Sequence, residues 1–121
     1  MRQFLTAVLL LGLAACATAT PAGNGAPLGS QQNPIRVNMP RGERDYLSRL
    51  RCSDGGAPQF QRMGSAGVGV FGNIVDVYDV RCLNGTPARS EIWMDMYFPS
   101  YRETGAPPGF TLVQRQTADL R

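Results

Sequence analysis

Asp76 and Asp95 are the two residues whose type and neighbourhood would suit an acid/base pair, one carboxyl giving a proton while the other, ionised, accepts one or attacks. A hydrolase built on them needs both groups in one cleft. Strand alternation sets Asp76 on the even face of one strand and Asp95 on the odd face of the next, which argues against such a dyad. The chain has no His, so Ser-His or Cys-His catalysis and His-based zinc sites are excluded within it. Neither a metal nor a cofactor is expected. Gly67-Val68-Gly69-Val70-Phe71-Gly72 fits the spacing of a phosphate-cradling loop, but that device needs a helix to follow the last glycine. Here a β-rich run follows, so the segment reads as a loop joining two antiparallel strands.

Two further groups of side chains could bind rather than catalyse. Arg36, Arg41, Arg44, Arg49 and Arg51 fall within 16 residues, against only Glu43 and Asp45. Guanidinium groups grip phosphate and carboxylate bidentately, so Arg44 and Arg51 are candidates for contact with lipid headgroups, lipopolysaccharide phosphates or peptidoglycan carboxylates. The competing reading is a solvated helix face. Trp93 and Tyr97 share a strand face with Glu91 and Asp95, the mixture of rings and carboxylates that a sugar-binding platform uses. If Pro107 to Val113 folds back over that face, the same rings form a second small core instead. The net charge of +3 comes from Arg alone and is too small to imply nucleic acid.

Cysteine placement sets the compartment. Arg2 and the apolar run Phe4 to Leu13 have the length of an export leader, far short of a bilayer-spanning helix. The run ends in Leu13-Ala14-Ala15-Cys16, which resembles the lipobox of bacterial lipoproteins. That resemblance implies cleavage before Cys16, lipidation of its sulfur and, with Ala rather than Asp at position 17, sorting to the outer membrane. Residues 1–15 are then a signal peptide. Cys16 and residues 17–34, nearly all small, polar, Gly or Pro, form a disordered lipidated tether averaging roughly 20–25 Å end to end. Cys52 and Cys82 remain, an even pair in an oxidising compartment, and the expected outcome is one disulfide.

Residues 35–121 form one small α+β domain: a short helix on an antiparallel sheet of three to four strands. The helix is expected over Gly42 to Arg51, with Tyr46, Leu47 and Leu50 on one face and an i,i+4 pair between Asp45 and Arg49. Strands are expected at Gln59 to Met63, Ile74 to Cys82 and Glu91 to Phe98, with a weaker fourth at Phe110 to Gln114. The even faces carry Ile74, Tyr78, Val80 and Cys82 on one strand and Ile92, Met94, Met96 and Phe98 on the next, and should form the core against the helix, with the disulfide pinning the helix end to the sheet. A two-residue turn at Asn84-Gly85 would pair even with odd positions. The pattern therefore requires an odd loop, predicted as Leu83 to Arg89, with Val80 opposite Ile92, Val75 opposite Tyr97 and Arg81 opposite Glu91.

From Asn33 to Phe110 the chain resembles a family of small proteobacterial envelope lipoproteins. The blocks that carry this are Asn33-Pro34-Ile35-Arg36, Gly42-Glu43-Arg44 to Arg51-Cys52, Phe60 with Gly64-Ser65, Gly72-Asn73-Ile74-Val75-Asp76 and Met94-Asp95-Met96-Tyr97. The resemblance implies an envelope location and no specific activity. Relatives often have His before the Pro of the last block, where this chain has Phe98-Pro99. The expectation is a non-enzymatic envelope protein on the periplasmic face of the outer membrane, with a structural or interaction role. It would touch the membrane through its lipid, and peptidoglycan, lipopolysaccharide or an envelope protein as partner. The alternatives are a module binding periplasmic glycan or a lytic enzyme, and a hydrolase using Asp76 and Asp95.

Overall fold

A computed structural model describes residues 25–115, so Cys16 and the leader lie outside the described residues. Strand β1 (Ile35–Arg36) leads into helix α1 (Met39–Ser48), then strands β2 (Leu50–Arg51), β3 (Gln59–Val68), β4 (Ile74–Arg81), β5 (Arg89–Asp95) and β6 (Thr111–Leu112). The larger sheet runs β1-β5-β4-β3 and the smaller pairs β2 with β6. This is an α+β arrangement. The sheet is mixed rather than purely antiparallel, because β1 lies parallel to β5 with Ile35 beside Met94.

The helix begins and ends three residues before its expected place. Pro40 explains the start: its ring presets a helical φ and lacks an N–H where the first turn has no acceptor for one. Arg51 explains the end. Its guanidinium donates to the carbonyls of Ser48 and Leu50, drawing Leu50 and Arg51 into β2 against β6. Asp45 and Arg49 do form their i,i+4 pair at 3.3 Å.

The core sits where the alternation places it in mid-strand but not at the strand ends, where Ile74 is exposed and Met96 and Phe98 are only partly buried. Tyr78, Val80, Cys82, Ile92 and Met94 on the even faces of β4 and β5 pack against Ile35, Tyr46, Leu47, Leu50 and Phe110. Cys52 and Cys82 are joined, both buried, with Cα atoms 5.9 Å apart. The bond ties the segment after β2 to the end of β4.

The β4–β5 register corrects the expected one. Val80 lies opposite Ser90, Tyr78 opposite Ile92 and Arg81 opposite Arg89; the parity is as expected but the pairing is shifted by two. The cause is a connection that begins one residue earlier, at residues 82–88, and is fastened to Ser53. Thr86 donates to the Ser53 hydroxyl, Ser53 donates to the Thr86 carbonyl, and Cys82 donates to Ala88. In this register Arg81 and Arg89 both reach the buried carboxylate of Asp79, at 3.0 and 2.8 Å. That double pairing takes the place of an Arg81–Glu91 pair.

Strand β3 runs five residues past its expected end. It accommodates the extra length with register shifts between Arg62 and Gly64 and between Ser65 and Val68. Gly64 and Gly67 there adopt φ of 142° and 82°, which only glycine takes without strain. The glycine-rich stretch closes a β-hairpin, Gly69 donating to Asn73 and Gly72 to Gly69.

Residues 26–34, assigned by composition to the tether, lie against the body. Trp93 donates to the Gly29 carbonyl, Gly29 donates to Asn33, the Asn33 amide donates to Ala26, Leu28 packs on the core and Pro34 is buried. The turns formed by Gly29 and Asn33 satisfy the backbone locally, so few apolar side chains are needed to order them.

Candidate functional site

Asp76 and Asp95 do not meet. Asp76 is buried beside Arg62, whose Nε and Nη2 donate to its two oxygens at 2.8 and 2.9 Å; Ser65 adds a third bond at 3.2 Å. Asp95, on the opposite sheet face, accepts from the Asn73 amide and from the Tyr97 backbone N–H. Its oxygens brace the hairpin tip against the end of β5.

The acid that does join Asp76 is Glu43. Its side chain is fully buried between α1 and the sheet, Oε2 accepts from the Tyr78 hydroxyl at 2.9 Å, and Oε1 has no partner. Desolvation pushes its pKa from 4.5 up to about 7, opposed by the Tyr78 bond and helped by the negative charge of Asp76. Asp76 moves the other way, held below the usual carboxylate range first by the Arg62 bonds. Two carboxyls whose environments push them in opposite directions, Glu43 upward and Asp76 downward, therefore sit side by side beneath the helix. Sequence inspection misses Glu43 because a glutamate in a helical run reads as solvated. The signal was its spacing: positions 43, 46, 47 and 50 form one apolar stripe, and the acid stands on it.

The expected Arg44 and Arg51 patch does not form as a unit. Arg44 is exposed, while Arg51 turns back on the helix end. The guanidiniums that do converge line a half-open groove of about 960 Å³ between the first turns of α1 and the segments around Tyr101 and Val113. On its wall Arg49 and Arg115 share Asp45. Arg36, Arg41 and Arg102 make no ion pair among the described residues. Arg36 is stacked instead, its guanidinium carbon 3.7 Å from the Tyr101 ring centroid and 5.4 and 5.7 Å from those of Phe71 and Phe98. Such stacking fixes the plane of the fork and leaves its N–H edge for a ligand. Tyr46 closes the floor, its hydroxyl donating to the Gly105 carbonyl at 2.9 Å.

Trp93 is half-buried and Tyr97 is 49% exposed, with the fully buried Asp95 between them on the strand. Pro107 to Val113 does not fold over that face. Pro107 packs near Gly29 and Ile92, and Phe110 enters the main core.

Among the described residues no three His, Cys, Asp or Glu side chains group as metal ligands, and no helix is long and apolar enough to cross a membrane. Comparison with protein-family models, curated proteins and solved structures finds no match to the chain.

Proposed function

We propose that this chain is an exported envelope protein, anchored by lipid at Cys16 on the periplasmic face of the outer membrane, whose body acts by binding rather than by catalysis. The observation that carries the reading is the Cys52–Cys82 disulfide. A bond of this kind belongs to an oxidising compartment, and it uses both cysteines of the body, leaving the third at the end of the lipobox-like run. A binding role is supported by the groove, in which Arg36, Arg41 and Arg102 make no ion pair among the described residues, while Arg49 and Arg115 share Asp45. The acid pair Glu43 and Asp76 is buried under α1 rather than open to a substrate.

Exposed Tyr97 favours a second reading, a module that binds periplasmic glycan or a lytic enzyme through Tyr97 and Trp93. Cosedimentation with peptidoglycan that weakens in Trp93→Ala is its test. The main reading is tested by feeding cells a clickable palmitate analogue. Wild-type chain takes up label and fractionates with membranes, while Cys16→Ser takes up none and is found in the soluble periplasmic fraction. Label retained by Cys16→Ser would overturn the assignment.

A further inference from the structure

The groove beside α1 combines features that no single residue announces. Arg36 is held flat by Tyr101 with no carboxylate to neutralise it, and Arg41 projects from the first turn of α1, also unpaired among the described residues. That turn has no acidic residue and no side-chain cap, so its positive end is not offset within the helix. On the rim stand two apolar side chains in solvent, Met39 at 53% and Val113 at 45% exposure. Met39 also holds a φ of 62°, a left-handed conformation that is costly for a side-chain-bearing residue and here turns the chain into the helix beside the groove. Cationic forks flanked by exposed apolar side chains suit an interface where phosphate and acyl chain meet.

Position supplies the occupant. Leu28 packs against Gly105, its Cδ2 3.1 Å from where a Cβ would stand, and Gly105 adjoins the groove wall at Glu103 and Thr104. Residues 27–30 line a second, smaller groove with Ser90, Ile92 and Pro107, so the chain reaches the body next to the segment that walls the Arg groove. Covalent geometry limits the span from Cys16 to Gly25 to roughly 30 Å, so a lipid on Cys16 would hold this side within reach of headgroups.

We propose that the groove is where the tethered body rests on its own membrane, Arg36 and Arg41 taking the phosphodiester of an anionic phospholipid headgroup while Met39 meets the acyl boundary. This rests on the exported, lipid-anchored reading, but its test does not use the lipid. The mature chain, residues 16–121 carrying Cys16→Ser, is sedimented with phosphatidylcholine vesicles with and without phosphatidylglycerol. It pellets only with the anionic vesicles, and salt releases it. Arg36→Gln with Arg41→Gln weakens binding roughly ten- to thirtyfold, at about 1 kcal/mol per guanidinium. Arg44→Gln with Arg51→Gln, which removes the same charge outside the groove, weakens it far less. Arg41→Gln alone, at an exposed position with no partner, gives a severalfold loss even if the Arg36 variant fails to fold. Equal loss in both double variants, equal binding to neutral vesicles, or no binding to anionic vesicles would overturn the proposal. Tighter binding to polyglutamate than to vesicles would overturn it in favour of an acidic protein partner. None of these outcomes alters whether Cys16 takes up palmitate.

Discussion

Glu43 costs stability whenever it is ionised, because its buried carboxylate has one hydrogen bond and lies beside a second negative charge. Its folded pKa of about 7 stands above the ordinary 4.5, so its contribution is fully present below pH 4.5 and is lost as pH rises through 7. The shift corresponds to about 3 kcal/mol. Asp76 has the opposite sign: its pKa is lowered, and its contribution is lost as pH falls below the usual carboxylate range. Stability should therefore peak in mildly acid solution. Glu43→Gln, which keeps an acceptor for Tyr78, is expected to gain up to about 3 kcal/mol at pH 8 and little at pH 4.5. Urea denaturation across that range checks it, and parallel curves for the two proteins would refute the assignment. The sequence holds a signal for Glu43, an acid on an apolar stripe, but a glutamate in a helical run reads first as solvated. The stacked Arg36 has no such signal, since Phe71, Phe98 and Tyr101 reach it only through the fold.

Between elements, the disulfide links the end of β4 to the segment after β2 across a sequence separation of 30 residues. Constraining a loop of that length is worth roughly 3–4 kcal/mol. Cys82→Ser, or reduction, should lower the Tm by roughly 10–25 °C, and thermal melts with and without reductant measure it. Within α1, Gly42 has a helical backbone and its added methyl would meet the Val37 Cβ at an ordinary 3.4 Å. Gly42→Ala is expected to stabilise by about 0.5–1 kcal/mol in the same melts. These elements also show which features can be read from a sequence. The alternation in β4 and β5 marks the face that packs on the helix, and the mid-strand even-face core follows from it, although β4 is buried on both faces. It specifies register only to the nearest two residues, because a shift of two leaves every side chain on its face. The docking of Thr86 on Ser53 decided the rest. Strands β1, β2 and β6, two residues each, are too short to carry a period at all.

At the scale of the molecule, residues 26–34 belong to the body. The Trp93–Gly29 bond, the Leu28 contact and buried Pro34 give this belt roughly 2 kcal/mol or more of stabilising interactions. A chain starting at Ile35 should unfold at lower urea than one starting at Gly25; equal midpoints would show the belt to be dispensable. On the proposed anchoring through Cys16, fewer residues separate the lipid from the body than composition suggests, which would bring the groove closer to the membrane. The central claim, that this is an exported protein anchored through Cys16 with its other two cysteines joined, is tested most directly by mass spectrometry of the protein purified from membranes without reductant. The account predicts an N-terminal peptide beginning at Cys16 with the mass of a diacylglycerol, and a Cys52–Cys82 linked peptide. An unmodified N-terminus at Met1, or free thiols at Cys52 and Cys82, would contradict it.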